Sequence, residues 1–429
     1  MILRVVCFLT YNLGVPRCEP LIFWGVGSMK IVKRFVILVM LFLITAPVFS
    51  ASAVGYVHTV QAGDVLWRIA QAHGLSWEEL AAYNGLENPH LITVGQRIYI
   101  PLAHVYMEYV AVQINESTLE YGVQIGGAWP VEGILTLPAG ADAARPVPGV
   151  ILVHGAGAMD RDGTLFEHNR PLYDIARFLS VHGIAVLRYD KANYIHGAEM
   201  LAHYGPSFTV WEETIEPALY AARLLHADPR ISHVYLLGHH LGAMVAPRIH
   251  AAGGNFDGLI LMAGTPLTLG EVVLAQNWQA HDYMWEQGDF QTAAHLSYLL
   301  MEMEDFLYTL PALSAEEAQA LPFDRGLYAY YFRDFALHPT DVLLQEMNIP
   351  MLILQGANDF QMPFEIHFEA YHALLREREN VRFTIFPGIN HFFMPSGANT
   401  VQAALDEYTF PSRVCTFVLQ NIVEWVFSR

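Results

Sequence analysis

Residues Val234–Ile249 read VYLLGHHLGAMVAPRI. The apolar run Val234–Leu237 is followed by Gly238 and Gly242, which flank His240, and then by apolar residues at helical spacing. The pattern is a strand, a sharp turn and a helix. Glycine on both sides of a turn lets the backbone reverse abruptly and lifts the side chain between them out of the strand end. Here that side chain is His240.

The same rhythm extends in both directions. Val131–Leu137, Val150–Val153, Ile184–Arg188, Leu259–Ala263, Met351–Gln355 and Arg382–Pro387 read as strands. Helical patterns lie at about Pro171–His182, Glu212–His226, Gly242–Ala252, Phe364–Glu377 and Val401–Phe427. Continuous apolar runs such as Val150–Val153 indicate strands buried on both faces. Alternation with helices implies a mostly parallel sheet covered on both sides, an α/β fold. Ligands of such sheets bind beyond the carboxyl ends of the strands.

Three chemically suggestive segments stand at those ends. His154-Gly155-Ala156-Gly157 follows Val150–Val153 and can present backbone N–H groups to an oxygen. The second is the turn at His240. The third is split between Gln355-Gly356-Ala357-Asn358-Asp359 and Pro387-Gly388-Ile389-Asn390-His391. The chain order His240, Asp359, His391 is that of nucleophile, acid and base in one hydrolase arrangement.

At these residues the chain resembles the α/β-hydrolase fold, and within it the bacterial esterase and dienelactone-hydrolase-like group. HGAGAMDRDGTL, AVLRYDKAN, GLILMAGTP and FPGINHFF carry the resemblance together with the turn itself. It spans about residues 121–429, with a helical insert at about 267–338 expected to cap the pocket. The resemblance implies acyl-ester hydrolysis. His391 would shuttle the proton, Asp359 would hold its tautomer, and amides of Leu241 and of the Ala156–Gly157 turn would hold an oxyanion. No cofactor is implied.

The group places Ser where this chain has His240. An imidazole fills the space an acyl carbon would occupy, and a nitrogen would attack from ~2 Å away; a misplacement of about 1 Å can already cost ~10²-fold. No Ser, Cys or Asp in Leu237–Val245 substitutes for it. Three readings follow: a ligand-binding pseudoenzyme; hydrolysis by another route, with His240 as general base for water; or a metal held by His240, His391 and Asp359, with His154 as a further ligand. His239 points away from the pocket. Asp160, Arg161 and Asp162 form structural ion pairs, and Lys191 packs a loop. Met301, Met303 and Phe306 of the insert are core residues.

Tyr56–Pro101 has a different pattern: a strand at Tyr56–Val60, a helix with Leu66, Ile69 and Ala70 on one face, a second helix at Ser76–Tyr83 with Ser76 and Glu79 as a capping box, and a strand at Arg97–Ile100. Thr59, Val60, Gly63, Asp64, Leu66, Ile69, Ala70, Asn84, Asn88, Pro89, Ile92, Gly95, Gln96, Ile98 and Pro101 make it resemble a LysM domain. That implies binding of N-acetylglucosamine-containing glycan, peptidoglycan or chitin-like. Contacts would come from Gly63, Asp64, Val65 and Leu66 and from Asn88, Pro89, Leu91 and Ile92. Leu66 and Ile69 also read as core. Val65 stands where the family usually has Ser or Thr.

The 429 residues are 53% hydrophobic, enough for a large domain and a small one, and the net charge is −19. So acidic a surface repels nucleic acid and anionic lipid. Residues 1–53 read as an N-terminal extension and a secretory signal starting at Met29: a basic Lys30–Arg34, an apolar Phe35–Phe49 and a small-residue Ala51-Ser52-Ala53. This predicts cleavage, no permanent membrane span, and an extracytoplasmic, wall-associated product. Of Cys7, Cys18 and Cys415 only the last survives cleavage, so no disulfide within the mature chain is expected. Residues 102–120 read as a linker.

Overall fold

The computed structural model describes residues 56–61, 64–72, 77, 80–81, 84, 86, 88, 91–100, 118–166, 168–324, 327–398 and 400–429. The secretory segment and most of the linker lie outside them, as do Gly63, Ser76, Glu79 and Pro89.

The small N-terminal unit pairs β1 (Tyr56–Thr59) antiparallel with β2 (Arg97–Ile100), with the helix Leu66–Ala72 between them in sequence. Val60, Leu66, Ile69, Ala70, Leu80, Ala81 and Ile98 form its core. Of the expected second helix, Trp77, Leu80 and Ala81 are described, and all three are helical.

The large unit is built on eight strands: β3 (Thr118–Ile125), β4 (Val131–Pro138), β5 (Val147–Val153), β6 (Ala185–Tyr189), β7 (Ile231–His239), β8 (Gly258–Met262), β11 (Met351–Gly356) and β12 (Val381–Phe386). Their spatial order is β12-β11-β8-β7-β5-β6-β4-β3. From β6 to β12 every pairing is parallel; β4 and β3 close the other edge antiparallel. The mostly parallel sheet expected from the sequence is therefore present.

The pleat explains the apolar runs. Val150 and Leu152 face one core with Val186 and Leu237, whereas Ile151 and Val153 face the other with Leu187 and Leu236. One face is covered by the helices Pro171–Val181 and Thr416–Phe427. The other carries Glu216–Ala227 and Leu241–Ile249.

Several boundaries differ from expectation. β3 begins at Thr118, inside the expected linker, because it pairs with β4 over eight residues. The expected Val401–Phe427 helix is two helices, Val401–Glu407 and Thr416–Phe427. Pro411 lies between them, and the buried Asn169 side chain donates to the Tyr408 and Phe410 carbonyls and accepts from the Ser412 amide. The helix Ala192–Tyr204 was not anticipated.

The 267–338 segment is mainly helical: Leu269–Glu286, Phe290–Thr309, Ala315–Gln319 and Ala329–Leu337, with β9 (Pro322–Asp324) and β10 (Leu327–Tyr328) as a short hairpin. Met303 is buried and Phe306 packs against the core, but Met301 is 62% exposed. Two residues along a helix is roughly half a turn, so the two methionines face opposite ways.

Candidate active site

The turn at His240 is sharp and strained. His240 has φ 50° and ψ −112°, in a region that a non-glycine residue enters at a cost of about 1–3 kcal/mol. Its amide donates to the Met262 carbonyl at 2.9 Å. A Cβ on Gly238 would lie 2.4 Å from the Gly242 carbonyl group, and one on Gly242 would lie 2.3 Å from the Val153 oxygen. Both glycines are therefore steric requirements of a helix that starts against the end of β5.

β11 and β12 deliver the other two groups. His391 Nδ1 and Asp359 Oδ2 are 2.8 Å apart, and both side chains are buried. Asp359 Oδ1 accepts from the Gln361 and Met362 amides, each at 2.9 Å, and Oδ2 accepts from Gln355 Nε2 at 2.9 Å. Gln355 is the last-but-one residue of β11 and also donates to the Met362 carbonyl. The carboxylate is thus pinned from four directions and directs the imidazole. His240 and His391 meet edge to face, with ring centroids 5.0 Å apart.

His240 is half-buried, and its Nε2 is sealed from solvent and has no hydrogen-bond partner. Burial holds the imidazole well below its ordinary pKa, and the nearby His391, His239, His367 and Lys191 groups oppose a positive charge as well. His240 is neutral at physiological pH. Its Cβ and Nδ1 lie against Gly155: a Cβ built on that glycine would come within 3.4 Å and 3.7 Å of them. The ring therefore borders the His154–Gly157 turn. The Ala156, Gly157 and Leu241 amides have no acceptor among the described residues.

His239 does not point away from this cluster. Its Nε2 is 2.9 Å from the His391 carbonyl oxygen, and its ring packs 4.6 Å from that of His391. It holds the loop that carries His391. His154 is turned to the Asp160 carbonyl at 3.1 Å and stacks edge-on with Tyr189. The metal reading fails on the donor set. Asp359 has no free oxygen, His391 Nδ1 is engaged by it, and among the described residues no three His, Cys, Asp or Glu side chains converge as ligands.

Arg161 and Asp162 form the expected ion pairs, whereas Asp160 serves as a hydrogen-bond acceptor within its own turn. Asp160 receives the Thr164 amide and hydroxyl, Arg161 pairs with Asp190 and Glu132, and Asp162 pairs with Arg188. Sequence reasoning missed Gln355, Glu213, His367 and Tyr371. Both His367 ring nitrogens and the Tyr371 hydroxyl are buried without partners. Gln355 was legible in principle, four residues before Asp359 at a strand's end. Glu213 and His367 have no local signature.

In the small unit, Asp64 accepts from the Gln61 amide at 2.8 Å and lies 2.6 Å from His58 Nε2, so it braces the turn. Leu66 is buried at 3% and packs in the core of the unit. Val65, Asn88 and Leu91 are exposed and Ile92 half-buried.

The chain is similar to several known proteins. Residues 58–101 match the LysM domain family. Esterase EstD of Thermotoga maritima is 32% identical over 311 residues, covering 72% of this chain and 68% of EstD. The chain belongs to the esterase family of EstD. An Escherichia coli lipoprotein, YgeR, is 48% identical over 44 residues, 10% of this chain and 18% of YgeR. Among solved structures, Est1E of Butyrivibrio proteoclasticus is 15% identical and matches with a TM-score of 0.43, over 71% of this chain and 99% of Est1E.

The esterase-family domain buries several imidazoles in neutral form. Burial pushes His239 down to about 3 and His154 and His367 to about 4. Unfolded, each titrates near 6.5, so unfolding takes up protons as pH falls from about 6.5 to 4. Their contribution to stability is complete above 6.5 and is lost through that window. Asp174 acts oppositely: burial raises it to about 6, so folding favours its protonated form below that pH. With His240 counted among these imidazoles and Asp174 set against them, the net uptake near pH 5 is about three protons, a slope of about 4 kcal/mol per pH unit. The unfolding midpoint of the domain should drop by about 10 °C between pH 6.5 and 4.5. Calorimetry at the two pH values checks this, and an unchanged midpoint would contradict the buried neutral imidazoles.

Proposed function

We propose that this chain is an exported, glycan-anchored member of the esterase family in which His240 replaces the nucleophilic Ser. The pocket is of acyl-ester type, with Asp359 and His391 as acid and base and Ala156, Gly157 and Leu241 as oxyanion donors. Ordinary serine-esterase turnover is lost. The observation that carries this reading is His240 at the apex of the strained turn, edge-on to a fully paired His391–Asp359 couple. The ring stands where the acyl carbon would sit, with its Nε2 buried and without a partner. The 267–338 segment serves as the cap: Gln276 donates to the Gln361 carbonyl beside Asp359, and Asp334 pairs with Arg248 of the turn's own helix. The decisive experiment is p-nitrophenyl ester hydrolysis by the native protein beside His240→Ser.

A second reading concerns the pocket's use. With its nucleophile absent, the domain serves as a ligand-binding module carried to a wall by the LysM unit. The Met29–Ala53 segment supports export. LysM domains bind N-acetylglucosamine-containing glycans, and a single copy binds weakly because affinity grows with linked copies. The full chain should sediment with insoluble peptidoglycan or chitin and be released by soluble N-acetylglucosamine oligomers. Protein remaining entirely in the supernatant at high glycan load would remove the anchoring role.

A further inference from the structure

Lys191 is the single lysine after Ala53, and it is almost wholly buried. Its Nζ reaches the Gly155 carbonyl at 2.9 Å, the Gly157 carbonyl at 3.0 Å and Glu213 Oε1 at 3.1 Å. An ammonium has three protons, and all three are used. The Lys191 amide also donates to the Met159 carbonyl, tying the same turn at a further point.

A planar trans peptide sets the consequence. The carbonyl of one residue and the N–H of the next point in opposite directions. Drawing the Gly155 oxygen inward onto Lys191 turns the Ala156 N–H the other way, out of the core. That amide has no acceptor among the described residues, and Gly155 lies against the His240 ring. Gly157 has φ 87°, which lets its own carbonyl return to the same cation.

Glu213 anchors the lysine in turn. It lies in the π-helical turn Trp211–Ile215, is 6% exposed, and accepts from Asn193 at 3.2 Å and from the Thr214 hydroxyl at 3.3 Å. Tyr331, on the insert helix Ala329–Leu337, is buried near the same carboxylate, which helps hold its hydroxyl protonated. A buried ion pair is weak evidence of stability, since apolar residues of similar volume often do as well. What apolar residues could not do is hold two carbonyls in one direction.

We propose that Lys191 is the positioning residue of the oxyanion loop: it aims the Ala156 amide into the pocket, held in place by Glu213. This rests on the esterase-type reading of Ala156, so two separate readouts are needed. The first uses His240→Ser as background. Adding Lys191→Met with Glu213→Gln, which removes both buried charges together, should lower kcat for p-nitrophenyl butyrate by about 10²-fold with KM within about threefold. Glu213→Gln alone keeps the lysine and should give a smaller loss, about tenfold, so the inference stays testable if the double change impairs folding. The second readout is hydrogen exchange in the protein with native His240. The residue 191 amide, which closes the loop on the Met159 carbonyl, should exchange at least about tenfold faster in Lys191→Met with Glu213→Gln, while the amides of β5 keep their protection. Unchanged kcat, or unchanged exchange at residue 191, overturns the inference. Should His240→Ser hydrolyse nothing, the esterase-type reading fails, and the exchange measurement alone decides the clamp.

Discussion

Replacing His240 by Ser is expected to raise p-nitrophenyl ester hydrolysis by the full chain at least ~10³-fold. Serine fits the turn, because the strain at φ 50° belongs to the backbone and not to the imidazole. The change removes the ring that borders Gly155 and leaves space beside the Ala156 and Leu241 amides. It also puts a hydroxyl next to an imidazole already oriented by Asp359 at 2.8 Å. Loss of a triad nucleophile typically costs ~10⁶ in kcat, with ~10³–10⁴ over water remaining from the oxyanion hole and binding. The gain on restoration is set below that ceiling because the pocket has accommodated a larger side chain. A pre-steady-state burst of p-nitrophenol in the variant, absent from the native protein, would mark acyl-enzyme formation. Native protein that hydrolyses as fast as the variant would end the view of His240 as a lost nucleophile.

Asp359→Asn in the His240→Ser background is expected to abolish that gain, since loss of tautomer control over the imidazole costs about 10⁴-fold in kcat. The same change should also destabilise the domain. Asp359 Oδ1 faces two backbone N–H groups, and Oδ2 faces the Gln355 amide nitrogen and His391. An asparagine must turn its own NH2 toward one of these sets and leave buried donors unpaired, at about 1–3 kcal/mol. Measured without the His240 change, Asp359→Asn isolates this stability cost, because the native turn carries no serine to activate. A variant as active and as stable as its parent would show that Asp359 is not the pinned acid.

The reach of sequence reading varied with how local the cause was. The continuous apolar runs at β5, β7, β8 and β11 were legible because a strand buried on both faces has no polar position to spare. Gly238 and Gly242 announced the turn, and the structure shows why: a Cβ at either would collide with backbone. Asp359 and His391 were legible from their place after consecutive strands. The split of Val401–Phe427 was partly legible in Pro411. The pinning by Asn169 was not, since it comes from about 240 residues away.

The order of elements, the parallel sheet and the identity of the residue at the turn's apex came from the sequence alone, because each depends on side-chain type at short spacing. Only the tertiary structure decided what surrounds that apex. It put His239 against His391 instead of away from it, sealed His240 Nε2, saturated the Asp359 carboxylate and turned Lys191 onto the Gly155 and Gly157 carbonyls. Those facts depend on loops from separate strands meeting at one sheet edge, where each atom's partner is chosen by packing and distance rather than by its neighbours in the chain.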